Sequence, residues 1–126
     1  MKTILCVDDI PEILEVYKGI LEAEYNVLIA TDDTGVFEIL RNHNPEVVTL
    51  DLNLGSDSLG GIEICKQINT RWSGIKVIMI SGMVYENPSC FIGCNFSAYL
   101  AKPVAASELL RVVGELCDMQ DGRYEV

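Results

Sequence analysis

Five side chains that could do chemistry together stand at the ends of short apolar runs in this sequence of 126 residues. Asp8 and Asp9 follow the first run, Asp51 ends another, and Ser81 and Lys102 follow two more. Three carboxylates held close together repel one another, and each then resists ionisation. A hard divalent cation such as Mg²⁺ would relieve that repulsion, because it binds carboxylate, carbonyl and water oxygens. The sequence therefore points to a magnesium site, with Lys102 as a further positive charge.

Each of these positions also has an ordinary structural explanation. Asp8 or Asp9 could cap the helix that follows, and Asp51 could begin a turn. Ser81 could belong to a plain loop, and a lysine such as Lys102 is most often solvated. Only their joint placement favours a shared site, so the elements that carry them decide between the two interpretations.

The spacing of apolar residues alternates between the patterns of strands and helices. Short apolar runs predict five strands, over Thr3–Val7, Asn26–Ala30, Glu46–Asp51, Ile75–Ile80 and Ala98–Ala101. Helical spacing predicts four helices, over Pro11–Ala23, Thr34–Asn42, Gly61–Arg71 and Ala106–Met119. Pro88 and Asn95 indicate the ends of a further helix, short or irregular, between the last two strands.

Strands that alternate with helices predict right-handed βαβ units in an α/β fold, with a doubly wound parallel sheet covered by helices on both faces. Function in such sheets lies beyond the carboxyl ends of the strands, which is where the five side chains would meet. The length suits one domain, which we place at residues 1–120. Residues 121–126 form a short C-terminal tail, too short for an effector module.

The charge and hydropathy of the chain exclude several classes of function. The net charge of −10 disfavours direct binding to nucleic acid, whose phosphates require clusters of lysine and arginine. No apolar stretch is long enough to span a membrane, and Asp8 comes too early for a signal peptide. We therefore expect a cytoplasmic protein that does not bind membranes.

The five cysteines do not form a recognisable framework of disulfides or zinc ligands. Their count is odd and their spacing irregular, at Cys6, Cys65, Cys90, Cys94 and Cys117. A zinc site needs about four ligands, and His43 is the single histidine in the sequence. We expect reduced cysteines that serve mostly as small core residues.

Four motifs together resemble the response-regulator receiver domain over essentially the whole chain. They are "VDD" at 7–9, "VVTLDLNL" at 47–54, "ISG" at 80–82 and "AYLAKP" at 98–103. Each motif alone is weak, but the ordered set is specific. The resemblance implies a single-domain (βα)5 fold of the flavodoxin-like type, with strand order 2-1-3-4-5.

The resemblance also implies a role for each residue of the predicted site. Asp51 matches the phosphoacceptor, which takes a phosphoryl group from a phosphohistidine on a histidine kinase or a histidine phosphotransfer protein. The metal, Mg²⁺ with Mn²⁺ as a substitute, would be held by Asp8, Asp9, Asp51 and the backbone carbonyl of Asn53. Lys102 would pair with Asp51 before the transfer and with the phosphoryl group afterwards.

A conformational switch and its partners follow from the same resemblance. The hydroxyl of Ser81 would move towards the phosphate, and Tyr99 would turn inwards in response. The changed surface would comprise the fourth helix, the fifth strand and the final helix, where a downstream effector would bind. The protein would be a monomer or a phosphorylation-dependent dimer. Pro103 would follow a cis peptide bond. Such a domain catalyses its own phosphorylation and dephosphorylation and is not otherwise an enzyme.

Two segments depart from the usual pattern of the family. Gly55 stands where a proline is common, and the segment Gly55–Gly61 is about two residues longer than typical. Its glycines and serines predict a mobile loop. Met83, two positions after Ser81, is expected to affect phosphoryl lifetime, and the stretch Met83–Phe96 is atypical for the signalling face.

Three other functions fit parts of the sequence less well. An aspartyl phosphatase would usually carry a second aspartate where Asn53 stands, and the chain is short for a substrate-covering cap. A flavodoxin-like cofactor binder would need a phosphate loop where "VDDIPEI" places acids. A docking module that works without phosphorylation remains open. An acyl-transfer triad is excluded, because His43 lies on the far connection.

Overall fold

The computed structural model describes residues 1–54, 60–82 and 93–118 of the chain. Five strands lie in these ranges: β1 (Thr3–Val7), β2 (Asn26–Ala30), β3 (Val47–Asp51), β4 (Lys76–Ser81) and β5 (Ala98–Ala101). Four helices lie there too: α1 (Pro11–Leu21), α2 (Asp33–Asn42), α3 (Gly60–Arg71) and α4 (Ala106–Asp118). The bounds differ from the predicted ones by at most two residues.

Some predictions concern residues outside these ranges. The short helix predicted between the last two strands falls largely on residues 83–92, where Met83 also lies. Residues 55–59 of the glycine- and serine-rich loop are outside as well. So are residues 119–126, which contain the predicted domain boundary at residue 120.

The strands form one parallel sheet in the order β2-β1-β3-β4-β5, as the resemblance implied. The order reverses between β1 and β3, because the chain first builds outwards to β2 and then returns across β1. A crevice forms beyond the carboxyl ends of the strands at such a switch point. The residues that follow β1 and β3 therefore lie in that crevice.

Helices cover both faces of the sheet, as predicted. Side chains alternate between the two faces along a strand. In β1, Leu5 and Val7 pack into a core with α2 and α3, whereas Ile4 and Cys6 pack into a second core with α1 and α4. All five residues of the central strand β3 are buried, which explains why apolar residues do not alternate with exposed polar ones along it.

The start of α1 shows how the end of β1 is held in place. Ile10 occupies the N-cap position and makes no side-chain cap, and Pro11 begins the helix. The Asp8 carboxylate accepts a hydrogen bond from the backbone N–H of Ile10 at 2.9 Å instead. Asp8 thus turns the chain into α1 and keeps its second oxygen for the crevice. No helix in the described ranges combines the length and apolarity needed to cross a bilayer.

Candidate functional site

Four strands deliver the predicted site residues to the same edge of the sheet. Asp8 follows β1, Asp51 is the last residue of β3, and Ser81 is the last residue of β4. Lys102 follows β5, and its backbone N–H donates to the carbonyl of Ser81 at 2.9 Å. The strand register puts Asp51 opposite Ile80, so Ser81 lies next to the acid on the neighbouring strand.

The three aspartates converge as the sequence predicted. Asp8, Asp9 and Asp51 offer carboxylate oxygens that all lie within 4.8 Å of one another. Asp8 is 0 % exposed and Asp51 is 3 % exposed, whereas Asp9 reaches solvent. Buried carboxylates require compensating charge or hydrogen bonds. Three hard oxygen donors, one of them open to water, suit Mg²⁺, which keeps several of its own waters.

Lys102 supplies part of the compensating charge, but it favours a different aspartate from the expected one. Its Nζ lies 3.0 Å from Oδ2 of Asp8 and 3.5 Å from Oδ2 of Asp51. It therefore bridges the two buried acids. The Lys102–Pro103 peptide bond is cis, which is the geometry that the resemblance implied. One lysine cannot neutralise three carboxylates, so the cluster keeps an excess of negative charge.

Each carboxylate oxygen of Asp51 contacts a neighbouring group. Its Oδ1 accepts a hydrogen bond from the backbone N–H of Asn53 at 3.1 Å, and its Oδ2 faces Lys102. Burial raises the pKa of Asp51 above its usual range, and the charge of Asp8 adds to that effect. The Asn53 N–H and Lys102 oppose the rise without cancelling it.

The charges of Asp8 and Asp51 also shift the pKa values of neighbouring Lys102 and Tyr17. Burial lowers the pKa of Lys102, but the hydrogen bond to Asp8 and the charges of Asp51 and Asp8 outweigh it, so the net shift is upward. Burial, followed by the charges of Asp8 and Asp51, raises the pKa of Tyr17 to about 12. Lys102 therefore stays charged and Tyr17 stays neutral at physiological pH.

A close approach of α3 to the end of β3 shapes the site, and the sequence reading missed it. A Cβ on Gly61 would lie 2.3 Å from the carbonyl oxygen of Asp51, and one on Gly60 would lie 2.5 Å from that of Leu54. The Gly61 N–H donates to the Leu52 carbonyl at 3.3 Å. The consecutive glycines before the helical pattern were the available signal, because close backbone packing requires a missing side chain.

The predicted switch residues lie on the neighbouring strands β4 and β5. Ser81 is buried at the carboxyl edge, whereas Tyr99 is 38 % exposed on β5. The Tyr99 ring contacts Phe96, with ring centroids 6.4 Å apart. Tyr99 thus faces outwards here, on the same strand that leads to Lys102.

An apolar groove beside Lys102 was also not predicted. It has a volume of about 480 Å³ and lies between α1 and the segment that follows β5. Its apolar lining consists of Ile13, Val16, Tyr17, Pro103 and Val104. Val16 is largely exposed although it is apolar, and so is nearby Ile10. Exposed apolar grooves are one kind of surface at which protein partners bind.

The family model of the response regulator receiver domain matches residues 4–114 of this sequence. The chain belongs to the response regulator receiver domain family. A curated relative, the nitrogen assimilation regulatory protein NtrX of Azorhizobium caulinodans, is 36 % identical over 125 residues, which cover 98 % of this chain and 28 % of NtrX. The transcriptional regulatory protein KdpE of Mycobacterium tuberculosis is 29 % identical over 87 % of this chain and 48 % of its own.

Solved structures agree with this assignment. A CheY-like receiver domain protein from Methanospirillum hungatei superimposes with a TM-score of 0.85 at 31 % identity, covering 94 % of both chains. The receiver domain of NtrX from Brucella abortus gives a TM-score of 0.81 at 26 % identity, covering 93 % of this chain and 99 % of that one. This receiver domain spans less than half the length of the two curated relatives.

Proposed function

We propose that this receiver domain accepts a phosphoryl group on Asp51 from a phosphohistidine of a histidine kinase or a histidine phosphotransfer protein in the cytoplasm. The placement of Asp51 carries the proposal. It is a buried carboxylate at the switch point of the sheet, within reach of two other carboxylates and a lysine. A carboxylate is a competent nucleophile for phosphoryl transfer, and positioning and charge neutralisation are the main requirements of that reaction.

Each group of the site has a task in the proposed transfer. An Asp51 oxygen attacks the phosphorus, the new O–P bond forms, and the N–P bond to the donor histidine breaks. Lys102 bridges Asp8 and Asp51 and can move its hydrogen bond to a phosphoryl oxygen. Asp8, Asp9 and Asp51, together with the backbone carbonyl of Asn53, would hold Mg²⁺, or Mn²⁺ in its place. That ion would neutralise phosphoryl charge when bound.

The apolar groove beside Lys102 supports docking of the phosphohistidine donor. The donor must bring its imidazole to the carboxyl edge of the sheet, and the groove opens next to Lys102 at that edge. Exposed Val16 and Ile10 would lose contact with water when a helix of the partner covers them. We therefore assign this face to the donor.

The output surface would include β5 and α4. Movement of the Ser81 hydroxyl towards the phosphoryl group would leave room for Tyr99 to turn inwards from its exposed position. A downstream effector, or a second phosphorylated copy, would read the altered surface. The net charge of −10 makes nucleic acid an unsuitable direct partner.

Phosphorylation with a small donor tests the proposal directly. Incubation of the protein with acetyl phosphate and Mg²⁺ should produce a base-labile adduct that adds the mass of one phosphoryl group. The adduct should be absent from Asp51→Asn and unchanged in Asp118→Asn, a matched change of an exposed aspartate at the end of α4. An adduct that persists in Asp51→Asn would refute the assignment, and full signalling by Asp51→Ala in cells would favour a docking module instead.

A further inference from the structure

Two cysteines that take no part in the proposed phosphotransfer meet on the α3 side of the sheet. Cys65 lies in α3, and Cys94 lies in the segment that leads into β5. The Cys65 thiol contacts the backbone carbonyl of Asn95, the residue that follows Cys94, and each of the two thiols shifts the pKa of the other. Cys65 is 0 % exposed and Cys94 is 7 % exposed, so the pair stands at the margin of the core. Both are free thiols.

A pair of asparagines holds the two cysteine-bearing segments against each other. The Asn69 side chain donates to the carbonyl of Asn95 at 3.0 Å and accepts from its backbone N–H at 2.7 Å. The Cys65 thiol donates to the same Asn95 carbonyl at 3.4 Å. The backbone beside Cys94 is therefore anchored to α3 on the same side as Cys65. Gly93 provides the turn before it, with a φ of +81°, which favours glycine.

The electrostatic surroundings make Cys94 the more reactive of the two thiols. Interaction with the neighbouring Cys65 thiol lowers the pKa of Cys94, and the positive charge of Lys66 lowers it further, against the effect of burial. Interaction with Cys94, together with burial, raises the pKa of Cys65. Burial raises the pKa of Cys6 to about 11. The thiolate is the reactive form, so oxidants should attack Cys94 first.

We propose that Cys65 and Cys94 form a reversible disulfide when the protein meets a hydroperoxide. The Cys94 thiol loses its proton, and the thiolate attacks one oxygen of hydrogen peroxide. The O–O bond breaks and the leaving hydroxide takes up that proton, so a sulfenic acid and water result. The Cys65 thiol then attacks the sulfur of that sulfenic acid. The S–O bond breaks, the thiol proton leaves with the hydroxide as a second water, and the S–S bond forms. Two thiols thus lose two electrons to one peroxide.

The bond would tie α3 to the segment that enters β5. Gly93–Asn95 would lose freedom relative to α3, and β5 carries Tyr99 and leads to Lys102. Oxidation would therefore act on the strand that the proposed phosphorylation switch uses. That consequence rests on the proposed function, but formation of the disulfide does not.

Peptide mapping of the oxidised protein tests the bond itself. The full chain is reduced, desalted, treated with one equivalent of hydrogen peroxide, blocked with iodoacetamide and digested without reduction. We expect a linked Cys65–Cys94 peptide that dithiothreitol releases. Cys90→Ser should keep the link and Cys94→Ser should abolish it. A link from Cys94 to Cys90, or oxidation of Cys117 at the same rate as Cys94, would overturn the proposal.

Two further variants separate the roles of the thiols. Cys65→Ser removes the second thiol, so a dimedone-reactive sulfenic acid should accumulate on Cys94. Lys66→Gln should slow oxidation of Cys94 roughly threefold through the loss of a nearby charge, whereas Lys66→Arg should retain the rate. Equal rates in Lys66→Gln and Lys66→Arg would remove the electrostatic part of the argument.

Hydrogen exchange gives a readout independent of phosphorylation. Oxidation should slow backbone exchange over residues 93–98 in the wild type and in Asp51→Asn alike, and it should have no such effect in Cys65→Ser. Exchange that slows equally in Cys65→Ser would contradict the proposed link. Failure of Asp51 to accept phosphate would leave this result unchanged, so the two proposals are tested separately.

Discussion

Two groups of ion-paired side chains in this molecule have similar nitrogen–oxygen distances but differ in burial and in net charge. Lys102 contacts the carboxylates of Asp8 and Asp51 at 3.0 and 3.5 Å, and Arg111 contacts Glu115 on α4 at 3.2 Å. The α4 pair is 58 % and 62 % exposed, whereas the two aspartates at the carboxyl edge are almost fully buried. Distance alone therefore does not distinguish the site from ordinary surface chemistry.

The two groups differ in how much charge each leaves without an opposite charge beside it. Water screens Arg111 and Glu115, which balance each other one to one across a turn of helix. At the carboxyl edge, three acids share one lysine, and two of those acids, Asp8 and Asp51, are buried away from water. The excess negative charge there would attract a cation, as the proposed function requires. The pair on α4 offers nothing comparable.

The largest difference between the two groups should appear in the rate of phosphorylation. Lys102→Met removes the cation that would neutralise the attacked phosphoryl group in the proposed transfer, and it should slow Mg²⁺-dependent phosphorylation by acetyl phosphate about 10²-fold. Arg111→Met removes an exposed cation on α4 that contacts Glu115 instead. This variant should be phosphorylated at the wild-type rate. A Lys102→Met protein that reacts at the wild-type rate would show that the lysine serves only structure.

Magnesium should stabilise the folded protein through the acidic cluster and not through the Arg111–Glu115 pair. Because the proposed ion would bind only the folded protein, Mg²⁺ at about 100 times its dissociation constant should raise the free energy of unfolding by about 2.7 kcal/mol. Asp9→Asn should lose most of that gain, while Glu115→Gln should keep it. Urea unfolding with and without Mg²⁺ measures both. An unchanged Mg²⁺ effect in Asp9→Asn would place the ion elsewhere.

The convergence of these acids was predictable because it follows from backbone topology. Apolar runs gave the strands, and parallel strands present their carboxyl ends at one edge, so Asp8, Asp51 and Lys102 had to meet there. The preference of Lys102 for Asp8 was not predictable. It depends on the rotamer of Asp8, the first residue after β1. That rotamer is set by the hydrogen bond that Asp8 accepts in the turn into α1.

Contacts between elements that lie far apart in the chain were also not predictable from the sequence. The sequence predicts reduced cysteines that serve mostly as core residues, but it does not show that Cys65 and Cys94 lie close together, which they do because α3 packs beside the segment before β5. No periodicity of either segment reports that contact. The groove beside Lys102 escaped for the same reason, because α1 and the chain after β5 form it jointly.

Removing one buried charge should stabilise the protein when no divalent ion is present. Burial raises the pKa of Asp51, so its ionisation costs free energy in the folded state. That cost is present above the folded pKa and disappears as the pH falls towards 3.8, the ordinary value. In EDTA at pH 7, Asp51→Asn should therefore gain about 1–2 kcal/mol of unfolding free energy over the wild type.

The same comparison over a range of pH checks the sign. The advantage of Asp51→Asn should shrink as the pH falls through the raised pKa, because the wild-type carboxyl then binds a proton and loses its charge. Asp118→Asn, at an exposed end of α4, should show no such trend. An Asp51→Asn advantage that grows at low pH would mean that the carboxylate is stabilised by its neighbours and not penalised.

The exposed pair should give the smallest effect. Arg111→Met keeps a good helix former on α4 and removes one contact with Glu115, so the free energy of unfolding should fall by less than about 0.5 kcal/mol. Raising the salt from low ionic strength to 1 M should erase that difference, because the pair is open to water. Thermal unfolding of both proteins at the two salt levels measures it. A loss above about 1 kcal/mol that persists in high salt would mean that the guanidinium packs into the fold, and the contrast with Lys102 would then rest on charge balance alone and not on burial.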